Sequence, residues 1–147
     1  MNWQPTELTQ HLPVIRHRIS QHSLDNILEP MLLDVNVKPW PRTEAQAFYT
    51  CNTMHIVGME SIRCIFAGCK EALGQTGKLC VYGPFAIHGK LKGEGNIQFD
   101  QELRASNPNS GIKDLSTLDD MARQMGFSTC RYKPMPANNH FVVWEVS

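Results

Sequence analysis

The chain has 147 residues, 41% of them hydrophobic and 19% charged, with a formal net charge of zero. A chain of this size can bury a substantial core as one domain, and its neutrality argues against a nucleic-acid backbone or an anionic bilayer as the main partner. No apolar run approaches the roughly 20 residues of a membrane span, and the start, MNWQPTEL, lacks the basic-then-apolar order of a secretory signal, so a cytoplasmic protein is expected.

Residues 2–5 read as the end of a short strand, and the helix after them runs to about His22. Thr6 or Thr9 can cap that helix; alternatively it begins at Pro13, with proline in its first turn. Residues 27–35 (ILEPMLLDV) form the next strand, with Pro30 at its start or on a sheet edge. Asp34 closes this strand, and an Asx turn is one reading of it. Residues 37–41 form a stiff loop and residues 43–47 a helical turn.

At AFYTCNTMH, residues 47–55, an apolar run of strand formers stops at polar Asn52 and His55. A run bounded in this way suits a strand buried on both faces of a parallel sheet. A helical pattern over Met59–Leu73 and a second apolar strand, residues 78–82, follow, and Gly83-Pro84 closes that strand. Strand, helix and strand in this order form a right-handed crossover. Ligands of open α/β sheets bind beyond the carboxyl ends of the strands, where Asn52, His55, Tyr82 and Gly83 fall. His55 suits a general base, its unperturbed pKa being about 6.5; a buried structural histidine is the commoner use of the residue. Tyr82 either presents its hydroxyl to that edge or packs.

Residues 85–113 are a polar insertion rich in glycine, with helical spacing over residues 96–105 (NIQFDQELRA). A connection this long is usually functional, often a lid; a surface elaboration is the alternative. Asp100 and Arg104 stand at i,i+4, as a substrate-facing pair or a surface ion pair. Ser116 is the expected cap of a helix over residues 117–125, with Asp119 completing a capping-box-like start and Gly126 ending it. Residues 127–133 and 140–146 are two strands joined by the turn 134–139, so the last strand is antiparallel. Asn138 and Asn139 suit left-handed turn geometry without any ligand. The five cysteines, Cys51, Cys64, Cys69, Cys80 and Cys130, contain no C-x-x-C, and neither a metal site nor a disulfide framework is expected.

Seven segments together resemble the methyltransferase-like 26 family (domain of unknown function 938). They are WQPTE at 3–7, LLDV at 32–35, CNTMHI at 51–56, VYGPFAIHGKL at 81–91, NIQFDQELRASNP at 96–108, GIKDL at 111–115 and MPANN at 135–139. The resemblance covers essentially the whole chain and departs at Ser110, where the family usually has tryptophan. It implies an α/β fold over residues 1–147: a Rossmann-like methyltransferase sheet with a C-terminal antiparallel hairpin and an insertion at about 85–114. S-adenosylmethionine is the implied cofactor, with Glu7 on its ribose, Asp34 on its adenine, and Asn52 and Met54 alongside. Glu7 also reads as a solvated capping carboxylate. His55 and Asn52 are the implied catalytic residues. Tyr82, Gly83, Phe85, Asn96, Phe99, Asp100, Arg104, Asn138 and Asn139 are the implied substrate contacts, for an unknown small-molecule acceptor.

Family members begin earlier, with a strand, a glycine-rich loop and a helix ahead of the WQPTE strand, whereas no glycine here precedes Gly58. The expectation is therefore a methyltransferase sheet truncated at its N-terminus, with weak or absent cofactor binding and no methyl transfer by the chain alone. A non-enzymatic binding or assembly module is the alternative. The missing strand lies centrally in the family sheet, and bare strand edges invite pairing. Either the gap closes or a second copy covers it; a homodimer is the favoured expectation, with Trp3, Leu8 and Leu12 as interface candidates.

Overall fold

A computed structural model describes all of residues 1–147. The chain divides into two compact units, Met1–Pro41 and Arg42–Ser147.

In the first unit, β1 (Thr6–Glu7) pairs in parallel with β2 (Met31–Leu32), Thr6 opposite Met31 and Glu7 opposite Leu32. The strand expected over residues 27–35 condenses to these two positions because Pro30 has no N–H for the ladder. Single bonds carry the pairing around it: Leu28 N donates to Trp3 O and Met31 N to Pro5 O. Helix α1 (Leu12–Ser20) has Pro13 in its first turn, the second of the two expected starts. Neither Thr6 nor Thr9 caps it; a short 3₁₀ turn, Thr9–His11, leads in instead. Leu12 is buried within the chain, which removes it from the exposed interface candidates.

The second unit is a mixed four-stranded sheet in the order β3-β4-β6-β5, from β3 (Ala47–Cys51), β4 (Lys78–Pro84), β5 (Arg131–Met135) and β6 (Asn139–Glu145). β3 and β4 are parallel; β6 runs antiparallel to both β4 and β5. Leu79 lies opposite Trp144 and Val81 opposite Val142, and all four are buried. Helix α2 (Met59–Leu73) buries Ile62, Ile65, Phe66, Cys69 and Leu73. The Phe66 ring meets Trp144 edge-on at 5.1 Å and Phe127 at 5.7 Å. Helix α4 (Leu115–Gln124) joins this core through Asp119, whose Oδ1 accepts from the Trp144 indole at 3.0 Å and from Cys130 N at 2.7 Å.

Four local expectations are corrected. β3 is the edge strand of its sheet and is half-buried: Tyr49 is 49% exposed and stacks on Phe141 at 6.5 Å. Residues 43–46 form no helical turn, because the Thr43 hydroxyl takes Ala45 N as its donor, a local bond that competes with helix. Helix α4 starts at Leu115 and is capped by Asp114, which accepts from Ser116 N; aspartate caps as well as serine, and Asp119 turns to the core instead. Phe127 is buried against Phe66, so the next strand begins only at Arg131 and ends at Met135, with Pro134 tolerated on the outer edge strand. The turn shrinks to one 3₁₀ turn, Pro136–Asn138.

The insertion contains helix α3 (Glu94–Ser106), a turn longer than its sequence spacing suggests and with no buried residue. No helix of the chain is long and apolar enough to cross a membrane.

Candidate functional site

The carboxyl ends of the parallel pair β3 and β4 carry the cleft. Chain reversal after β3 needs a left-handed residue, and Asn52 supplies it at φ 55°. Asn52 N donates to Tyr82 O at 2.8 Å, which ties the two strand ends together. A short turn follows, Ile56 N donating to Thr53 O, and it carries His55 inward to 4% exposure. Gly83 lies close by: a Cβ there would stand in ordinary contact, 3.6 Å from Asn52 Oδ1 and 3.8 Å from His55 Nδ1, so the β4 backbone runs beside both.

Helix α3 forms the opposite wall. Phe99 meets the His55 ring edge-on at 5.2 Å and 67°. Asp100 fixes the helix: Oδ1 accepts from Ile112 N at 2.6 Å and Oδ2 from Arg104 Nε at 2.8 Å. The segment after the helix is held to the loop of β3, with Gly111 N donating to His55 O at 2.8 Å and the Ser110 hydroxyl to Ile56 O at 2.6 Å. Gly111 has φ +124° and a Cβ there would fall 2.6 Å from Arg104 Cζ, so the guanidinium lies directly over its backbone. At the N-terminal end, Asn96 Nδ2 donates to Asn138 O at 3.4 Å.

The resulting cleft is about 480 Å³, within the range of small-molecule sites. Asn52, His55 and Ile56 line it from the β3 loop and Pro84 from the end of β4. Gly95, Asn96 and Phe99 line it from α3, and Ala137 and Asn139 from the turn before β6. Non-glycine residues at positive φ are Asn52, His88, Ala137 and Asn138, and three of these four border the cleft or hold its wall. Such strain persists only where surrounding contacts enforce it, and it concentrates at working sites.

Charge around the cleft is arranged to leave His55 neutral. Burial, and then the Lys113 ammonium, hold its imidazole below the usual histidine range. Lys113 is itself only 9% exposed and donates to Gly111 O at 2.9 Å and Asn109 O at 3.2 Å. Burial and then Arg104 hold its pKa below the usual lysine range, against the pull of Asp100. Burial raises the Asp100 carboxyl, but hydrogen bonds from Arg104 and the Ile112 N–H outweigh it and leave the group below the ordinary range. His140, opposite Gly83 across the sheet, is a second buried imidazole, flanked by Tyr132 at 5.7 Å and Phe85 at 6.3 Å. Its Nδ1 is buried without a hydrogen-bond partner, and burial followed by Lys92 lowers its pKa.

Of the residues singled out from sequence, Asn52, His55, Asn96, Phe99 and Asn139 meet in the cleft, and Asp100, Arg104 and Asn138 hold its wall. Met54 and Phe85 are interior residues, and Tyr82 is half-buried on the sheet face opposite that of Gly83. Glu7 and Asp34 belong to the first unit, at the carboxyl ends of β1 and β2. Glu7 Oε1 accepts from Leu8 N at 2.8 Å; Asp34 Oδ1 accepts from Asn36 N at 2.9 Å, an Asx turn, which is one of the two readings of this residue. Sequence reasoning missed Ile56, Gly95, Ala137 and Lys113, and placed Pro84 only at the close of its strand. Lys113 gives no local signal, since its burial depends on carbonyls presented by a loop that α3 holds.

The fold is that of S-adenosylmethionine-dependent methyltransferases. PigF solved with SAH matches at TM-score 0.81 and 17% identity, over 95% of this chain and 42% of its own. The methyltransferase SibL in its apo form matches at 0.81 and 17%, over 99% and 43%. Human N-acetylserotonin methyltransferase in complex with SAM matches at 0.81 and 9%, over 97% and 39%. The chain thus spans about two fifths of the length of each. Residues 1–146 match the family described as "Protein of unknown function (DUF938)", and the chain belongs to that family.

Proposed function

We propose that residues 1–147 carry the acceptor-binding part of an S-adenosylmethionine-dependent methyltransferase that works on a small molecule in the cytoplasm. The observation that supports this most is a neutral, buried imidazole, His55, on a strained cleft at the carboxyl ends of two parallel strands. When bound, S-adenosylmethionine would supply an electrophilic methyl group to the acceptor. His55 takes the proton that the acceptor atom gives up, at an imidazole nitrogen left free by its neutrality. Asn52, whose backbone N–H is tied to the Tyr82 carbonyl, presents its amide to the cleft beside it and orients the acceptor there. Methyl transfer depends mainly on positioning, so no further acid–base group is required.

The two carboxylates at neighbouring parallel strand ends, Glu7 and Asp34, suit ribose hydroxyls and an adenine amino group. No glycine-rich loop stands among residues 1–57 to receive the methionine end, so these 147 residues by themselves hold the cofactor weakly. Calorimetric titration with S-adenosylhomocysteine is expected to show at most millimolar affinity, and micromolar binding would overturn that part. For the activity, the natively expressed protein is incubated with labelled S-adenosylmethionine and a small-molecule fraction. Label transfer that His55→Gln abolishes supports the reading; no transfer to any fraction defeats it.

A second reading, a homodimeric module, is favoured by one feature: β3 is a sheet edge and carries exposed Tyr49 and Cys51. A second copy is proposed to cover that edge. Sedimentation equilibrium at micromolar protein decides it, a clean monomer mass ruling it out.

A further inference from the structure

The amides that line the cleft, Asn52, Asn96 and Asn139, can each donate and accept, so they set no sign for a ligand. The charges behind them do. Two cations, Arg104 and Lys113, stand with one carboxylate, Asp100, which Arg104 already holds at 2.8 Å. The Lys113 ammonium donates to the carbonyls of Asn109 and Gly111, and its charge reaches His55. One positive charge beside the cleft is therefore in surplus, in a buried setting that magnifies it.

Helix α3 turns its positive end to the same place. Its first intrahelical bond runs from Ile97 N to Gly93 O, so the N–H groups of Glu94, Gly95 and Asn96 come before it, and no side chain caps them. Gly95 and Asn96 are cleft residues. Uncapped N–H groups at this end of the helix dipole suit an anion. Glu94, the one acid of this turn, is exposed, and exposed Lys92 stands two residues ahead of it. His55 points to a ligand independently. It is buried, it lines the cleft from the opposite wall, and neither ring nitrogen is hydrogen-bonded within the chain.

We propose that the ligand of this cleft carries one carboxylate, seated at the N-terminal turn of α3, with its hydroxyl or amine, the methyl acceptor, turned toward His55. The surplus is a single charge, which a carboxylate matches and a phosphate dianion exceeds. The bound anion offsets Lys113, so His55 holds the acceptor's proton more readily. The inference rests on the reading of the cleft as an acceptor site and narrows its substrate class.

Mandelate, mandelamide and phenylethanolamine share a frame and a hydroxyl and differ in charge. Each of them, and inorganic phosphate, is titrated into the isotope-labelled chain while the resonances of His55, Gly95 and Asn96 are followed by NMR. Mandelate is expected to shift them saturably, and each of the other three to bind at least tenfold more weakly. The amide, the ammonium or phosphate binding as tightly as mandelate overturns the proposal, as does mandelate that leaves these resonances unmoved. Lys113→Met is expected to weaken mandelate at least fivefold and mandelamide less than twofold; equal losses count against the proposal. If that variant fails to fold, Gly95→Asp carries the test. A Cβ added at Gly95 meets nothing within 4 Å, and aspartate suits the first turn of a helix, so the fold is kept. The new carboxylate is expected to exclude mandelate at least tenfold, whereas Gly95→Ala leaves its affinity within twofold. Undiminished mandelate binding by Gly95→Asp overturns the proposal. Probe binding needs no methyl donor. A cleft that takes mandelate while no fraction receives label defeats the methyltransferase reading alone, whereas label transfer confined to acceptors without a carboxylate defeats this inference alone.

Discussion

Helices α2 and α3 are of similar length, 15 and 13 residues, and are held in opposite ways. Helix α2 buries an apolar face, and its Phe66 ring packs between Phe127 and Trp144. Helix α3 buries nothing and is fastened at three points: Asp100, Asn96 and the Phe99 ring. Apolar burial is strong and non-directional; a few hydrogen bonds are individually modest and open together. The contrast assigns α2 to the scaffold and α3 to a wall that can be released while the core stays folded.

The largest expected effect lies in the scaffold. Phe66→Ala removes a fully buried ring and should destabilise the second unit by about 3–5 kcal/mol, read from the midpoint of a urea titration. Phe99→Ala, in the half-exposed wall, should change that midpoint by no more than about 1 kcal/mol. Equal losses would erase the distinction between the helices.

Asp100→Ala comes next. It strips the acceptor from Ile112 N and from Arg104, a loss of about 1–3 kcal/mol for a buried donor. The loss should appear as faster amide exchange in α3 with α2 unchanged; uniform acceleration would mean that the helices unfold as one. Acid reaches the same contact without a mutation. The Asp100 pKa is lowered in the folded chain, so its contribution is complete above the unfolded value of about 3.9 and fades as pH falls through the lower folded value. Exchange in α3 should therefore accelerate only below about pH 4.

Gly93→Ala tests the other end of α3. The residue sits at φ +82°, and an added Cβ would lie 2.6 Å from Asn138 Nδ2. The left-handed backbone alone costs about 1–2 kcal/mol for a residue with a Cβ. Loosening is expected to be confined to the first turns of α3 and to the turn before β6.

The smallest effect sharpens the electrostatics of the cleft. Lys113→Met keeps the buried stem and removes the ammonium, so the His55 pKa should rise, observed as a shifted NMR titration. The sign follows from linkage. With its folded pKa depressed, neutral His55 contributes stability that is full above about 6.5 and is lost as pH falls through the lower folded value. The variant narrows that window; an unmoved His55 titration would show that burial alone sets it.

The scaffold was legible in the sequence because its signals are local. AFYTC and KLCVY read as strands, and the apolar spacing between them gave α2 to the residue. α3 was legible as a helix from Ile97, Phe99 and Leu103, yet those three side chains are at most half-buried, so its periodicity said nothing of how it is held. The cleft was legible at Asn52 and His55, which follow a strand, and at Asn96, Phe99 and Asn139. It was illegible at Ala137, because alanine disfavours the left-handed geometry it adopts there and only the surrounding contacts impose it. Lys113 and His140 were passed over because burial of a titratable group depends on which chain segments meet.

The burial of Trp144 gives the molecule a built-in optical label. Of the three tryptophans, Trp144 alone lies in the second unit, fully enclosed, while Trp3 is 50% exposed and Trp40 stands with it in the first. An enclosed indole emits at shorter wavelength than a hydrated one. The blue edge of the emission band therefore follows chiefly Trp144 and the second unit, and a change confined to the red edge belongs to the first. One fluorescence melt, recorded across the band, resolves whether the two units lose their structure at one temperature or at two.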